Sequence, residues 1–274
     1  MSHREFLSLS ELLGEHCGIA LRESARVEKQ LWTRLRALHL PDFSAYCRYL
    51  RSAPGGRGEL EAAASALATH ETCLFREPGQ LEAFCRLVLP RLERQNRASR
   101  ALRLWSAGCA TGEEAYTLAM LALDSDLFGG WELSVIGTDL SSEVLAVARK
   151  GAYTASSLRE SPPIPIGRYL AARAGGWTVR DEVKARVRFG RLNLLDGAKV
   201  ETLPRFDAVF CRNVLVYFDP PARRRALAHL CARLQPGGFL LLGHAENLIP
   251  VEEDVEPVDL GAEFAYRRPS LSAF

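Results

Sequence analysis

Polar residues that follow short apolar runs are the positions of this chain best suited to chemistry. The first such run, Leu102–Gly108, leads into a glycine turn with two carboxylates, Glu113 and Glu114, directly behind it. The turn has neither the glycine spacing of a dinucleotide-binding loop nor the Gly-Lys-Ser/Thr of a phosphate loop. Two acids beside it suit a cationic ligand without phosphates, but they would equally cap the positive N-terminus of a following helix. The residues alone leave both interpretations open.

The second run, Leu133–Asp139, ends in a carboxylate. An acid at the end of the second strand of a nucleoside-binding α/β fold can accept hydrogen bonds from both ribose hydroxyls, although Asp139 is also typical of a helix cap. A phosphate-free glycine turn combined with a second-strand acid favours S-adenosylmethionine (SAM). This ligand is a nucleoside that carries a sulfonium and an amino acid.

Two later runs also end in polar side chains. Asn193 ends one of them, Arg212 and Asn213 end the next, and Tyr217 follows four residues further on. Buried polar groups need hydrogen-bond partners, and either a ligand or loop backbone would satisfy these. His244 follows the last long run, where a hydrogen-bonded structural histidine is a better interpretation than a catalytic base.

The elements that would position these residues alternate between strands and helices. From Leu102 onwards, short apolar runs ending in Gly, Asp or Asn are separated by helix-like stretches, which predicts a doubly wound, mostly parallel sheet. Residues 1–85 have apolar positions at helical spacing and predict an all-α N-terminal domain. The remainder, 86–274, would form the α/β domain, with a small inserted hairpin subdomain at about 160–190, where a proline-rich stretch precedes a Gly-Gly turn.

Composition excludes several classes of protein. With 274 residues, 47% hydrophobic and 25% charged, the chain has globular values and is not disordered. A net charge of +2 does not indicate nucleic-acid binding, and seven scattered cysteines without a CxxC pair exclude a disulfide framework and a structural zinc site. No apolar run reaches the ~18 residues of a membrane span, and the N-terminus lacks the features of a secretory signal. We therefore expect a soluble, cytoplasmic protein without metal, in which Cys109 and Cys211 are small core residues.

An ordered set of motifs closely resembles the chemotaxis receptor methyltransferases, the CheR-type protein-glutamate O-methyltransferases. The resemblance extends from about residue 5 to 268, and the ordered combination of motifs makes it specific. The motifs are Thr69–Glu77, Trp105–Met120, Gly137–Tyr153, Asn193–Asp196, Phe206–Phe218 and Gly243–Asn247.

The resemblance implies an all-α N-terminal domain and a Rossmann-like methyltransferase domain with a small inserted antiparallel β-subdomain. It also implies methyl transfer from SAM to glutamate side chains of methyl-accepting receptors, giving glutamate 5-O-methyl esters and S-adenosylhomocysteine. Arg76 and Tyr217 are expected to orient the substrate carboxylate. Where the family usually has Asn, this chain has His70, whose imidazole can also form hydrogen bonds. The positions expected to contact the cofactor are His70, Thr72, Arg76, Glu113, Asp139, Asn193, Leu194, Arg212 and Asn213.

The expected partner is the cytoplasmic helical domain of a methyl-accepting receptor, bound by a monomeric enzyme. Receptor methylation regions in this family are acidic helical bundles, so a predicted helix that contains Arg22, Arg26, Lys29, Arg34 and Arg36 against two acids would attract them. The alternative interpretation of this basic helix is a solvated helix face whose charges pair with each other and bind no partner. The short turn within 171–178 suggests that no receptor peptide tether is used.

Two other functions fit the same fold. A non-catalytic signalling module would bind the cofactor as a structural ligand and act by receptor binding. A methyltransferase for RNA is disfavoured because the charge is near neutral and aromatic-basic clusters are absent, and one for a small molecule is disfavoured because the helical N-terminal domain carries the Thr69–Glu77 motif.

Overall fold

The computed structural model describes residues 1–159, 162, 164–246 and 255–270. The chain forms two compact units, of which the first comprises Met1–Thr69 with Val214–Leu227, and the second comprises His70–Asn213 with Ala228–Phe274. The predicted fold class is confirmed: helices form the N-terminal part, and a mostly parallel sheet with helices follows it, together with a small antiparallel sheet. Within the described ranges, no helix is both long and apolar enough to span a bilayer.

The all-α unit starts at a strong helix signal. Ser2 caps the first helix and accepts a hydrogen bond from the Glu5 amide, while the Glu5 carboxylate accepts one from the Ser2 amide, which is a capping box. Each helix buries one apolar stripe, such as Leu9 and Leu13 on the first. The helices are α1 (His3–Cys17), α2 (Ser24–Ala37), α3 (Phe43–Ser52) and α4 (Gly56–Leu67).

The next helical segment packs with the sheet rather than with the all-α unit. It consists of α5 (Pro78–Ala83), a single π turn (Phe84–Val88) and α6 (Leu89–Asn96). The Phe84 ring contacts the Phe210 ring edge-on, with 5.0 Å between the ring centroids. The boundary between the units therefore lies at Thr69 and not at the predicted residue 85, because the apolar residues of this segment cover the sheet.

Strands and helices alternate through the rest of the chain. The elements are β1 (Ala101–Ala107), α7 (Glu113–Asp124), β2 (Glu132–Asp139), α8 (Ser142–Lys150), β3 (Ala152–Thr154), β4 (Leu170–Arg173), β5 (Gly176–Val179), α9 (Asp181–Lys184), β6 (Val187–Arg191), α10 (Gly197–Glu201), β7 (Phe206–Cys211), α11 (Pro220–Ala232), β8 (Leu234–Leu242), β9 (Glu256–Asp259) and β10 (Phe264–Arg267). The order in the main sheet is β6-β2-β1-β7-β8-β10-β9, and all pairings are parallel except those of β10 with β8 and β9. The strand order reverses between β1 and β7, which is where ligands bind in open α/β sheets.

The small sheet has the order β3-β5-β4 and is antiparallel throughout. It begins earlier than the predicted insertion at about 160–190, because Gly151 ends α8 in a left-handed conformation (φ 56°) and the chain turns directly into β3. Gly175, at φ 76°, makes the tight turn between β4 and β5. Strand β6 belongs to the main sheet, although the predicted insertion included part of it.

Candidate functional site

The loop after β1 is an irregular turn that is tied to the end of β2. The amides of Gly108 and Cys109 both donate to the Thr138 carbonyl oxygen, at 2.8 and 2.9 Å. Gly112 has a φ of 92°, and a Cβ there would lie 2.8 Å from the Ala148 Cβ and 2.9 Å from the Phe189 Cζ. Glycine is therefore required at position 112 by conformation and by space, and the two hydrogen bonds to Thr138 hold the start of the loop against the end of β2.

Asp139 lies where the sequence predicts, at the carboxyl end of β2 and in contact with the β1 loop. Its Oδ2 accepts a hydrogen bond from the Ala110 amide at 2.9 Å, and its Oδ1 accepts one from the Ser141 amide at 2.9 Å. Each carboxylate oxygen can accept a further hydrogen bond. Asp139 thus shapes the loop and retains acceptor capacity for a pair of hydroxyls.

Glu113 is buried at the first position of α7, with 3% of its surface exposed. The Thr111 hydroxyl donates to its Oε2 at 2.6 Å, and the Tyr153 hydroxyl donates to the Thr111 carbonyl at 2.7 Å. Burial raises the pKa of Glu113 above its usual value, partly offset by the Thr111 hydrogen bond. Among the residues that the structure describes, no cationic side chain pairs with this carboxylate. Such a group is suited to a cationic ligand.

The segment before α5 has an unusual backbone. Phe75 and Glu77 have φ values of 57° and 58°, so Arg76 stands between two residues in the left-handed region. The Phe75 amide donates to the Thr117 hydroxyl at 3.1 Å, and the Arg76 Nη1 donates to the Glu71 carbonyl at 3.0 Å. Side chains other than glycine adopt this conformation only when surrounding contacts hold it, and such positions concentrate at functional sites.

Two of the predicted cofactor contacts, His70 and Thr72, precede this segment and are half-buried. Their place in the second unit agrees with a role at the same site, but their contact with the cofactor stays a prediction. The neighbouring Glu71 forms an exposed ion pair with Arg159, with 2.6 Å between Oε1 and Nη1. That pair joins the segment to the connection between β3 and β4 of the small sheet.

Arg212 is the centre of a buried polar cluster. Its side chain is 2% exposed, and its Nε donates to the Glu114 Oε2 at 2.6 Å. Its Nη1 donates to the Arg76 carbonyl oxygen at 2.9 Å and to the Gln80 Oε1 at 3.4 Å. The Glu77 Oε2 lies 3.6 Å from the same nitrogen. The structure thus shows this predicted cofactor residue bonded to protein groups, and a direct contact with the cofactor stays a prediction.

Asn213 follows in the left-handed conformation, at φ 59°. Its amide and that of Gly243 both donate to the Glu246 Oε2 at 2.9 Å, so one carboxylate oxygen joins the ends of β7 and β8. The Asn213 side-chain Oδ1 is buried and has no hydrogen-bond partner among the described residues. An unsatisfied buried acceptor is costly, which makes Asn213 suited to a ligand that donates a hydrogen bond. Asn247, the last residue of the predicted motif, lies outside the described residues.

Asn193 and Leu194 follow β6. The Asn193 Oδ1 accepts a hydrogen bond from the Leu195 amide at 2.9 Å, which closes a local turn. The Leu194 carbonyl oxygen lies 2.7 Å from the His229 Nδ1. The sequence predicted that Asn193 would be satisfied either by loop backbone or by a ligand, and the structure shows a contact with loop backbone. The contact of Leu194 is with a side chain of α11.

Tyr217 belongs to the all-α unit. It ends a short 3₁₀ turn, Leu215–Tyr217, and its carbonyl oxygen accepts a hydrogen bond from the Ala20 amide at 2.9 Å. Within that unit it lines a cavity of about 390 Å³ together with Arg22 and Arg26. Its expected role beside the substrate carboxylate stays a prediction.

Sequence reasoning missed several polar residues that hold the site together. Thr117, Gln80 and Glu246 were not singled out, and Glu114 was considered only beside Glu113. Thr117 had one available signal, because it is a lone polar residue in an otherwise apolar stretch of helix. Its spacing of three from Glu114 places both on one face of α7.

The remaining candidates have structural contacts. The His244 Nε2 lies 2.7 Å from the Glu263 Oε2, which agrees with the structural interpretation of this histidine. Cys109 and Cys211 are buried, and burial raises the pKa of both thiols well above the usual value. In the described part of the chain, no cluster of three or more His, Cys, Asp or Glu side chains has the arrangement of a metal site.

These residues fit SAM by the chemistry of their donors and acceptors. Asp139 offers acceptors for ribose hydroxyls, Glu113 is an uncompensated carboxylate for a cationic group, and Asn213 has an orphaned acceptor. The glycine loop between them contains no lysine or arginine that would bind phosphate. Asp139 and the β1 loop are joined directly by the hydrogen bond from the Ala110 amide, so these two candidate elements lie together.

Comparison with known proteins identifies the family. Residues 4–68 match the family model described as the CheR methyltransferase all-alpha domain, and residues 70–263 match the CheR methyltransferase SAM binding domain. The chain is 36% identical over 261 residues to the chemotaxis protein methyltransferase of Escherichia coli K12, covering 92% of this chain and 87% of that protein. It is 33% identical over 253 residues to chemotaxis protein methyltransferase 2 of Vibrio cholerae serotype O1, covering 89% of this chain and 85% of the relative. It is also 31% identical over 274 residues to chemotaxis protein methyltransferase 1 of Pseudomonas aeruginosa PAO1, covering 97% and 98%. The chain belongs to the CheR methyltransferase family and is a SAM-dependent methyltransferase.

Proposed function

We propose that this enzyme transfers the methyl group of SAM to glutamate side chains in the cytoplasmic helical domain of methyl-accepting chemotaxis-type receptors. The products would be glutamate 5-O-methyl esters and S-adenosylhomocysteine. The names of the relatives, chemotaxis protein methyltransferases, support the pathway. The observation that carries the proposal is the joining of Asp139 to the phosphate-free β1 loop, with the uncompensated Glu113 at the end of that loop.

Nine residues are proposed to hold SAM. Asp139 would accept from the ribose hydroxyls, and Glu113 would compensate positive charge on the ligand. The Asn213 Oδ1 would gain the donor that it lacks. The others are proposed from the family resemblance, and they are His70, Thr72, Arg76, Asn193, Leu194 and Arg212.

The chemistry requires orientation more than proton transfer. A glutamate side chain has a pKa of about 4.3, so the nucleophile is already ionised at neutral pH and no general base is needed. SAM supplies an electrophilic methyl group on a sulfonium. As the carboxylate oxygen bonds to the methyl carbon, the carbon–sulfur bond breaks and the sulfur keeps the electron pair. Both charges disappear, so a site that excludes water favours the reaction, and good alignment contributes about 7–11 kcal/mol.

Arg76 and Tyr217 are the residues proposed to orient the substrate carboxylate. Arg76 is half-buried, and its guanidinium donates a hydrogen bond to a backbone carbonyl, while no acid among the described residues forms an ion pair with it. It therefore keeps charge available for an incoming carboxylate. We expect Arg76→Ala to lower the turnover rate at saturating SAM. If Arg76→Ala only weakens SAM binding, its role toward the substrate is excluded.

The all-α unit offers a basic surface for an acidic receptor helix. Arg22, Arg26, Lys29 and Arg36 are exposed, whereas Arg34 forms hydrogen bonds with Glu59 inside the unit. The predicted basic helix therefore has four outward cations on or just before α2, because one of the five serves the core. We propose that the receptor binds through this surface and that no receptor C-terminal peptide has to bind to the small sheet as a tether. A low-micromolar or tighter complex with a receptor C-terminal pentapeptide would contradict that part.

The cofactor assignment is tested by calorimetry with S-adenosylhomocysteine and its 2′-deoxy analogue. We expect the wild-type protein to prefer the parent compound by about 10–100-fold, since one hydrogen bond to a charged group is worth about 1.5–3 kcal/mol. Asp139→Ala should weaken both and remove the preference. Because Asp139 also holds the loop, loss of affinity alone would not be informative, whereas loss of discrimination identifies a ribose contact. Failure of the wild-type protein to bind either compound would overturn the proposal.

The substrate assignment is tested with methyl-labelled SAM and the purified cytoplasmic fragment of a methyl-accepting receptor from the same organism. A glutamate methyl ester should release labelled methanol on mild alkaline treatment, whereas N-methyl groups are stable. Mass spectrometry would place the label on glutamate. Cofactor binding without label transfer to any such receptor fragment would support the non-catalytic signalling module instead.

A further inference from the structure

We propose that Glu114 and Arg212 are positioning residues that hold the backbone of Arg76 in its productive conformation. The inference rests on the proposed function, in which Arg76 contacts the cofactor and the substrate carboxylate. Its basis is a chain of hydrogen bonds in the second unit: Ser106 Oγ to Glu114 Oε1 at 2.7 Å, Arg212 Nε to Glu114 Oε2 at 2.6 Å, and Arg212 Nη1 to the Arg76 carbonyl at 2.9 Å.

The backbone at Arg76 needs such support. Its neighbours Phe75 and Glu77 are both in the left-handed region, a conformation that is unfavourable for residues with a side chain. Without external contacts, the segment would relax to an extended or helical conformation and would move the Arg76 guanidinium. Two hydrogen bonds to the backbone oppose this, one from Arg212 to the Arg76 carbonyl and one from the Phe75 amide to the Thr117 hydroxyl.

Both contacts are anchored on one face of α7. Glu114 and Thr117 are three residues apart in this helix, so their side chains lie on the same side. Glu114 acts through Arg212, whereas Thr117 contacts the segment directly. Glu113, one residue earlier, bonds to Thr111 in the β1 loop instead. The two adjacent acids at the start of α7 therefore have separate tasks.

The cluster has the properties of a rigid support. The Arg212 side chain is 2% exposed and that of Glu114 is 11% exposed, so solvent screens their attraction little. Gln80 links the cluster to the sheet, because its Nε2 donates to the Leu242 carbonyl at 2.8 Å while its Oε1 faces Arg212. Both Glu114 oxygens and the Arg212 Nε and Nη1 are bonded to protein atoms, which fits a positioning role for these atoms and leaves the Arg212 Nη2 for the proposed cofactor contact.

The test is a double-mutant cycle between Glu114→Gln and Arg76→Ala. The readouts are the Kd of S-adenosylhomocysteine by calorimetry and the rate of methyl transfer from SAM to the receptor fragment. If Glu114 acts through Arg76, each single variant should raise the Kd or lower the rate by about tenfold. The double variant should be no worse than Arg76→Ala, because residues that act through one another have non-additive effects. A double variant whose fold-change in Kd or rate is the product of the two single fold-changes would overturn the inference.

Thr117 supplies a second and independent variant. Thr117→Val removes the acceptor for the Phe75 amide without changing the charge, and it should likewise show no added effect on top of Arg76→Ala. Thr117→Ser keeps the hydroxyl and should restore wild-type behaviour. If Thr117→Val and Thr117→Ser behave alike, or if Thr117→Val adds to Arg76→Ala, the segment is not held in the proposed way.

Matched controls separate this inference from general destabilisation and from the proposed function. Glu93→Gln changes another glutamate that pairs with an arginine of the same unit, at 3.1 Å between Oε2 and the Arg97 Nη2, and should leave the Kd and rate unchanged. If the wild-type protein binds S-adenosylhomocysteine and Arg76→Ala weakens binding or rate but Glu114→Gln does not, only the positioning role fails. If the wild-type protein neither binds nor transfers, the proposed function fails first.

Discussion

Two buried glutamates, one in each unit, have opposite surroundings. Glu59 in α4 is 6% exposed and has a complete set of protein partners: the Arg34 Nε and Nη2 donate to its two oxygens at 3.0 and 2.6 Å, and the Tyr46 hydroxyl donates at 2.7 Å. Glu113 in α7 is 3% exposed and has a hydroxyl from Thr111, but no cation among the described residues.

The difference distinguishes a structural carboxylate from a binding carboxylate. A buried ion pair with every oxygen satisfied is complete when the chain folds, so it has no need of a ligand. A buried carboxylate without a cation keeps a desolvation cost in the folded protein, and a positively charged ligand would relieve this cost. Glu59 therefore serves the all-α unit, and Glu113 is proposed to serve the cofactor.

The comparison predicts the largest effect for Glu113→Gln on cofactor affinity. Loss of the charge should raise the Kd of SAM by about 10–100-fold, the range expected when a hydrogen bond to a charged group is lost. Calorimetric titration measures this change. Glu143→Gln, which alters an acid in the first turn of α8, is the matched control and should leave the Kd unchanged. Equal affinity for Glu113→Gln and wild type would remove Glu113 from the binding site.

Glu59→Gln should give the reverse pattern. Breaking the charged pair leaves Arg34 without its carboxylate, and because Arg34 is 30% exposed we expect a loss of about 2 kcal/mol in unfolding free energy, below the range for a fully buried pair. Urea denaturation with calorimetric titration of the folded variant would measure both quantities. The Kd for SAM should equal that of the wild type, and a change in Kd comparable to that of Glu113→Gln would break the distinction.

A smaller effect is expected in the pH dependence of the ligand-free protein. Burial raises the pKa of Glu113 above about 4.5, so ionisation is less favourable in the folded than in the unfolded chain. The cost is absent at lower pH, where both states are protonated, and it develops as the pH rises from 4.5 through the folded pKa. Glu113→Gln should therefore become more stable relative to the wild type over that interval.

The measurement is urea unfolding of both proteins at a series of pH values from the acid side to neutrality. The difference in unfolding free energy should be near zero at the acid end and should favour Glu113→Gln at neutral pH. A wild-type advantage that grows with pH would show that the ionised carboxylate is stabilised by folding, contrary to the comparison.

The smallest effect is expected for Glu93→Gln. Its partner Arg97 is 72% exposed and lies four residues further on, directly after the end of α6, so water screens the pair. The thermal unfolding midpoint should stay within about 1 °C of the wild-type value. If Glu93→Gln lowered the thermal unfolding midpoint as much as Glu59→Gln does, the number of hydrogen-bond partners and the burial of a carboxylate would not distinguish structural carboxylates from solvated ones.

Much of the α/β fold was predictable because its signals are local. The predicted helix-like stretch that follows Asp139 is α8, and the apolar runs that end in Asp139 and just before Arg212 are β2 and β7. Each of these signals comes from residues adjacent in the chain: a cap, a hydrophobic run or a turn residue. The strand β9, Glu256–Asp259, was missed, since a short polar segment with a proline has no such pattern.

The candidate site was predictable in part, for the same reason. Asp139 was identified because strand ends at a parallel sheet lie at a common edge, and its bond to Ala110 agrees with that expectation. The roles of Thr117 and Gln80 could not be predicted, because their partners lie 42 and 132 residues away in the chain. Spacing within one segment carries no information about such distant contacts.

The amino-acid sequence by itself determined the family, the alternation of strands and helices from β1 to β8, and the residue types available at each strand end. These follow from local patterns of hydrophobicity and turn chemistry. Only the tertiary structure decided how two adjacent acids were used: the Glu113 carboxylate has no cation beside it in the described part of the chain, whereas the Glu114 carboxylate is joined to Arg212, 98 residues away. The physical reason is that the charge state and availability of a buried group depend on which distant side chains pack against it.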